Sequence, residues 1–98
     1  MEIITNKDNS KLVIELKGRL DTSTVPELEA ELKTALDGVN EIVFDFKELA
    51  YVSSAGLRIL LATQKRMNRQ GIMTIKNVCE DVKEIFEVTG FVDILNIE

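Results

Sequence analysis

Polar and apolar residues alternate from Lys11 to Lys17, with Leu12, Ile14 and Leu16 on one face and Val13, Glu15 and Lys17 on the other. That period of two predicts a half-buried strand. A shorter strand candidate, Glu2–Thr5, precedes it, and the turn formers Asn6-Lys7-Asp8-Asn9-Ser10 between them predict a hairpin loop. Gly18 is expected to end the second strand. The period then changes: Val25, Leu28, Leu32, Ala35 and Leu36 share one stripe of a helix, while Glu27, Glu29, Glu31 and Lys33 fall mainly elsewhere. Thr24, with Glu27 three positions on, predicts a capping box, and Pro26 is tolerated in a first helical turn. Gly38 is the expected stop.

Glu41–Phe46 is dense enough in apolar residues to predict a strand covered on both faces. Lys47–Val52 leads from it to Ser53 and Ser54, where a second helix is expected to run to about Gln70. The first half of that helix is almost entirely apolar, and its second half carries Lys65, Arg66 and Arg69 before Gly71. Ile72–Lys76 alternates as a fourth strand. Val82, Ile85, Phe86 and Thr89 recur at helical spacing, with Glu80 and Asp81 suited to the first turn and Gly90 to the end. Ile94–Ile97 completes the chain as a short fifth strand. The order is ββαβαβαβ, and helical crossovers imply parallel neighbours with right-handed connections. The expected fold class is α/β, one domain over residues 1–98, with a mixed sheet of about five strands and helices packed on it.

Composition narrows the function classes. The chain has 98 residues and a net charge of −5, which argues against non-specific nucleic-acid binding. It contains no histidine and one cysteine, Cys79. An intrachain disulfide, a zinc site built on Cys and His, and a Ser-His-Asp triad are therefore excluded. The N-terminus lacks the apolar region of a signal peptide, and no apolar run approaches the roughly 18 residues of a membrane span. A cytoplasmic protein without membrane attachment is expected. No Gly-x-Gly-x-x-Gly or Walker pattern occurs, so Gly18 and Gly56 read as packing and strand-ending glycines, and no cofactor is expected.

The candidate chemistry lies at Ser53-Ser54-Ala55-Gly56-Leu57, where an apolar strand gives way to an apolar helix. Serine here serves as a helix N-cap, or one hydroxyl is chemically used. Without a histidine base or a Gly-x-Ser-x-Gly context, hydrolysis is poorly supported. An accepted phosphoryl group fits better, since it adds roughly −1.5 to −2 charges at a helix start. Asp21, Thr22, Ser23 and Thr24 form a second polar stretch, readable as a solvated turn and cap. Asp45, inside an apolar strand, is either a strand-end residue at the same edge as Ser54 or a paired structural carboxylate; the second reading is preferred. Arg58, Lys65, Arg66 and Arg69 make a basic stripe, by default a solvated helix face and otherwise a docking surface for an acidic partner. Cys79 reads as a small core or loop residue, and Phe86 and Phe91 as core.

Gly18-Arg19-Leu20-Asp21, Val43-Phe44-Asp45-Phe46 and Leu49-Ala50-Tyr51-Val52-Ser53-Ser54-Ala55-Gly56-Leu57 together resemble the STAS domain of bacterial anti-sigma factor antagonists. The resemblance runs from the opening hairpin to Ile97. It implies partner switching: the unphosphorylated antagonist binds an anti-sigma factor that is also a serine kinase, and so frees a sigma factor. Phosphorylation by that kinase releases the antagonist, and a PP2C-type serine phosphatase restores it. By position the resemblance makes Ser54 the phosphoacceptor, with Ser53 as second choice where many members have aspartate. It puts Asp21 in the first loop near the kinase-binding surface. The expected contact set is Asp21, Thr22, Ser23, Ser53, Ser54, Ala55, Gly56 and Arg58, on a protein that is a monomer when free and not an enzyme. Family members often continue past the last strand into a further helix, where this sequence stops at Glu98. The alternative is a constitutive STAS adaptor of a transport or stress-signalling complex, with no phosphorylation cycle.

Overall fold

The computed structural model describes residues 1–98. Strand β1 (Glu2–Asp8) pairs antiparallel with β2 (Lys11–Leu20) through a tight turn in which Asn9 takes a positive φ of 56°. Helix α1 (Val25–Ala35) then leads to β3 (Glu41–Val52), α2 (Ser54–Gln70), β4 (Ile72–Lys76) and α3 (Glu80–Val88). The sheet order is β1-β2-β3-β4, and β2, β3 and β4 are parallel.

The register explains where the core sits. Leu12 lies opposite Ile42, which lies opposite Met73, and Ile14, Phe44 and Ile75 align in the next layer. These side chains share one face and join Leu28 and Leu32 of α1, Leu60 and Met67 of α2, and Val82 and Phe86 of α3 in a single apolar core. Alternation sends Val13, Glu15, Val43, Asp45, Thr74 and Lys76 to the opposite face. All three helices therefore contribute to the core on one side of the sheet. The sequence expectation that β3 is covered on both faces does not hold. Val43 is buried but stands outside that core, flanked in register by Val13 and Thr74 on the neighbouring strands. A central strand can look two-sided in sequence because its lateral neighbours shield it.

Several boundaries also move. β1 extends to Asp8, so the hairpin loop shrinks to Asn9 and Ser10. β2 passes through Gly18 instead of ending there, because the ladder to β3 shifts register between Glu15 and Lys17 and again between Gly18 and Arg19. Gly18 has a positive φ of 108°, a conformation that costs glycine little. β3 likewise continues from Phe46 to Val52. The expected fifth strand, Ile94–Ile97, contracts to a single parallel bridge between Ile75 and Ile97, and a 3-10 turn, Phe91–Asp93, precedes it. Hydrogen bonds from Ile75 N to Asn96 O (2.9 Å) and from Glu98 N to Ile75 O (2.9 Å) make that bridge.

Candidate functional site

The C-terminal ends of parallel β2 and β3 open side by side, as their pairing of Arg19 with Tyr51 and Leu20 with Val52 requires. The ladder ends in one more bond, from Ser53 N to Leu20 O at 2.9 Å. The chain then turns directly into α2. Ser53 is the N-cap residue, in extended conformation, and its Oγ accepts from Gly56 N at 3.3 Å. The capping reading of the sequence therefore belongs to Ser53. Ser54 is the first helical residue, exposed, with no hydrogen bond to its hydroxyl among the side-chain contacts around it. Of the two serines, one is committed to the fold and one is free.

Gly56 seats the helix. A Cβ there would lie 2.8 Å from Leu20 O and 2.9 Å from Val52 Cγ1, so α2 touches the ends of both strands through glycine alone. Gly56 thus acts in packing, as the absence of a phosphate-loop pattern suggested.

The first loop is organised by Asp21. Its carboxylate accepts from Ser23 N (3.0 Å), Ser23 Oγ (2.7 Å) and Thr24 N (3.2 Å), while its carbonyl accepts from Val25 N at 2.8 Å. The predicted capping box does not form. Thr24 turns its hydroxyl back, donating to Arg19 O (2.7 Å) and accepting from Asp21 N (2.9 Å), so this N-cap residue makes no side-chain bond to the N–H groups of α1. Thr22 and Ser23 are exposed on this loop. Arg19 braces it from below, 3.7 Å from Asp21 Oδ2 and with its guanidinium 4.3 Å from the Tyr51 ring centroid. Pairing of Arg19 with Tyr51 was missed in the sequence because it depends on the register shift after Gly18.

These hydrogen bonds, that from the Ser23 hydroxyl foremost, hold the Asp21 carboxyl below its ordinary value of 3.8. A depressed acid stabilises the loop at pH above its unfolded value, and that contribution is lost as pH falls through the folded value. Ser23→Ala is expected to raise the Asp21 titration toward 3.8, observable by carboxyl-carbon NMR; an unchanged titration would show that the hydroxyl does not control it.

Arg58 is exposed on α2 and lines a shallow cleft of about 260 Å³ with Val25, Glu29, Ala55, Ile59 and Ala62. The cleft opens into a larger one of about 410 Å³ between α1 and α2 that reaches Arg66. Arg66 is held by Asp37 at 3.1 Å, which removes it from any free basic stripe. Asp45 lies away from this edge. It accepts from Lys47 N (3.0 Å) and Asn77 Nδ2 (3.1 Å), the structural role preferred from sequence. Cys79 precedes α3 at its N-cap position without a side-chain cap, its thiol donating instead to Leu49 O at 3.4 Å. No group of three or more His, Cys, Asp or Glu side chains is placed to hold a metal ion, and no helix is long and apolar enough to cross a membrane.

A four-stranded mixed sheet with three helices, with the Asp21 loop and the start of α2 side by side at the ends of β2 and β3, defines a small α/β module. The STAS domain family model matches residues 2–98, and the chain belongs to that family. It is 33% identical over 99 residues to BtrV of Bordetella bronchiseptica, named as a candidate anti-sigma factor antagonist, covering 99% of this chain and 85% of that protein. It is 30% identical over 100 residues to the anti-sigma-B factor antagonist of Staphylococcus aureus strain NCTC 8325, covering 99% and 92%. The fold matches that of the anti-sigma factor antagonist SpoIIAA in unphosphorylated form, with a TM-score of 0.85 at 22% identity over 99% of this chain and 88% of that one. For the phosphorylated form of Bacillus SpoIIAA the TM-score is 0.76 at 21% identity, over 99% and 91%.

Proposed function

We propose that this chain is an anti-sigma factor antagonist that works by partner switching in the cytoplasm. In its unmodified form, a monomer, it binds an anti-sigma factor with serine kinase activity and so releases a sigma factor. The contact surface is the end of β2 and β3, carrying Asp21, Thr22 and Ser23 on the first loop and Ser53, Ser54, Ala55 and Arg58 at the start of α2. Gly56, predicted as part of it, is buried beneath as a packing residue. Ser54 is the phosphoacceptor. Its Oγ forms a bond to the γ-phosphorus of ATP as the bond to the ADP oxygen breaks, and the serine proton passes to a base on the kinase. The modified domain leaves, and a PP2C-type phosphatase hydrolyses the phosphoester to restore it. The domain contributes recognition and a hydroxyl, not catalysis.

The observation that carries this reading is the unequal fate of the two serines. Ser53 Oγ is occupied by Gly56 N, whereas Ser54 stands exposed and unbonded one residue on. A kinase needs an accessible hydroxyl on a fixed backbone, and the helix start tolerates the added charge. The relatives' shared designation as antagonists of anti-sigma factors supports the partner class.

The test compares the wild-type chain with Ser54→Ala in extract of the source cells supplied with labelled ATP. Label on the wild type that vanishes in the variant is expected. Label retained in the variant moves the site, first to Ser53. No label, in extract shown to contain an active kinase of this class, favours the constitutive adaptor.

A further inference from the structure

We propose that Arg58 is the intramolecular counter-ion of a phosphoryl group on Ser54, so that modification redistributes the charge of α2 without moving its backbone. The inference rests on Ser54 as phosphoacceptor and concerns what the free, modified domain does with the added charge. Ser54 and Arg58 are both exposed and lie four residues apart within α2. That spacing places their side chains one turn apart on the same face. Arg58 is unengaged: the ion pairs of the molecule use Lys17, Arg19, Arg66 and Lys76.

The competing anions are few. The 17 residues of α2 contain no Asp or Glu, in a chain whose net charge is −5. Glu29 of α1 faces Arg58 across the shallow cleft, without forming an ion pair with it. Asp21, at the end of β2, is occupied by Ser23, Thr24 and Arg19. A phosphate dianion offers Arg58 more charge than Glu29 does, and its oxygens suit the planar N–H groups of guanidinium. Arg58 is thus available to an acidic partner in the unmodified chain and is withdrawn from that surface when the phosphate arrives. A single modification then subtracts a cation from the contact surface as well as adding an anion to it.

The test uses the full chain with phosphoserine introduced at position 54 during translation, so no kinase is required. Phosphorus NMR follows the second ionisation of the phosphate in this protein and in its Arg58→Gln, Arg58→Lys and Lys65→Gln variants. The apparent pKa is expected to be lower in the otherwise wild-type chain than in Arg58→Gln by about 0.3 pH unit or more, the scale of an i,i+4 ion pair. Arg58→Lys should keep part of that difference, and Lys65→Gln should leave the wild-type value unchanged. Equal titration in wild type and Arg58→Gln overturns the pairing. So does an equal shift from Lys65→Gln, which would mark the general field of the helix. Absence of any label in the extract experiment would sink the switching reading while leaving this titration result standing.

Discussion

Gly71→Ala is expected to lower the stability of the domain by about 3 kcal/mol, the upper range for forcing atoms into a packed site. A Cβ at this position would lie 1.8 Å from Asn40 O, 2.5 Å from its carbonyl carbon and 2.8 Å from its Cα. All three neighbours are backbone atoms, so no rotamer change can open space. Nor is the Asn40 peptide free to retreat. Its carbonyl accepts from Ile72 N at 3.0 Å and its N–H donates to Ser10 O at 2.8 Å, which ties together the starts of β3 and β4 and the end of the hairpin. The last turn of α2 must therefore peel away, or the start of the parallel sheet must shift. Urea unfolding should show a lower midpoint with an unchanged slope. A variant as stable as the wild type would mean that the helix end relocates at no cost, contrary to this geometry.

Ser54→Asp is expected to weaken binding to the anti-sigma kinase of the proposed cycle about a hundredfold, or about 2.8 kcal/mol, while leaving the fold intact. Complete switching from nearly all bound to nearly all free needs about 5.5 kcal/mol of differential affinity. One carboxylate supplies only part of the roughly −1.5 to −2 charges of a phosphate, hence the smaller expectation. The free domain accepts the change readily, because Ser54 is exposed, makes no hydrogen bond that would be lost, and stands where a helix favours negative charge. The penalty falls in the complex, where the anion loses water against an interface arranged for a hydroxyl. Titration calorimetry with the partner, alongside thermal melting of each variant, separates the two effects. Tight binding by a well-folded Ser54→Asp chain would overturn the interface account of the switch.

Helix α2 was legible in sequence at both ends because two independent signals coincided at each. Serines meet an apolar run at the start, and basic residues meet Gly71 at the finish. The α/β class followed from the changing period of the apolar positions, whereas the role proposed for Ser54 rests on the resemblance carried by the residues around it. The losses have physical causes. Beyond Glu15 and Asp45 the paired strands slip register, burying Leu49 and Val52 three residues apart, and a period of two no longer describes them. Thr24 carries the pattern of a capping residue, yet its hydroxyl turns back to Arg19 O and Asp21 N, while the Asp21 carboxylate ties down Ser23 and the Thr24 N–H. Ile94–Ile97 reads like a strand, but its pairing with β4 is limited to one bridge at Ile97, closed by the bonds of Asn96 and Glu98 to Ile75. Local pattern cannot report which backbone group a capping hydroxyl turns to, nor how much of an apolar run finds a partner.

The close seating of Gly56 on Leu20, with the Ser53–Leu20 hydrogen bond beside it, leaves the edge of this domain little freedom to deform. In the proposed cycle the molecule is therefore a token more than a lever. Its message resides in what is written on it, and a reader meets the same outline whether the mark is present or not. Such a token has no relaxation time of its own. It responds as fast as partners collide, and its memory lasts as long as the balance of the enzymes that write and erase it.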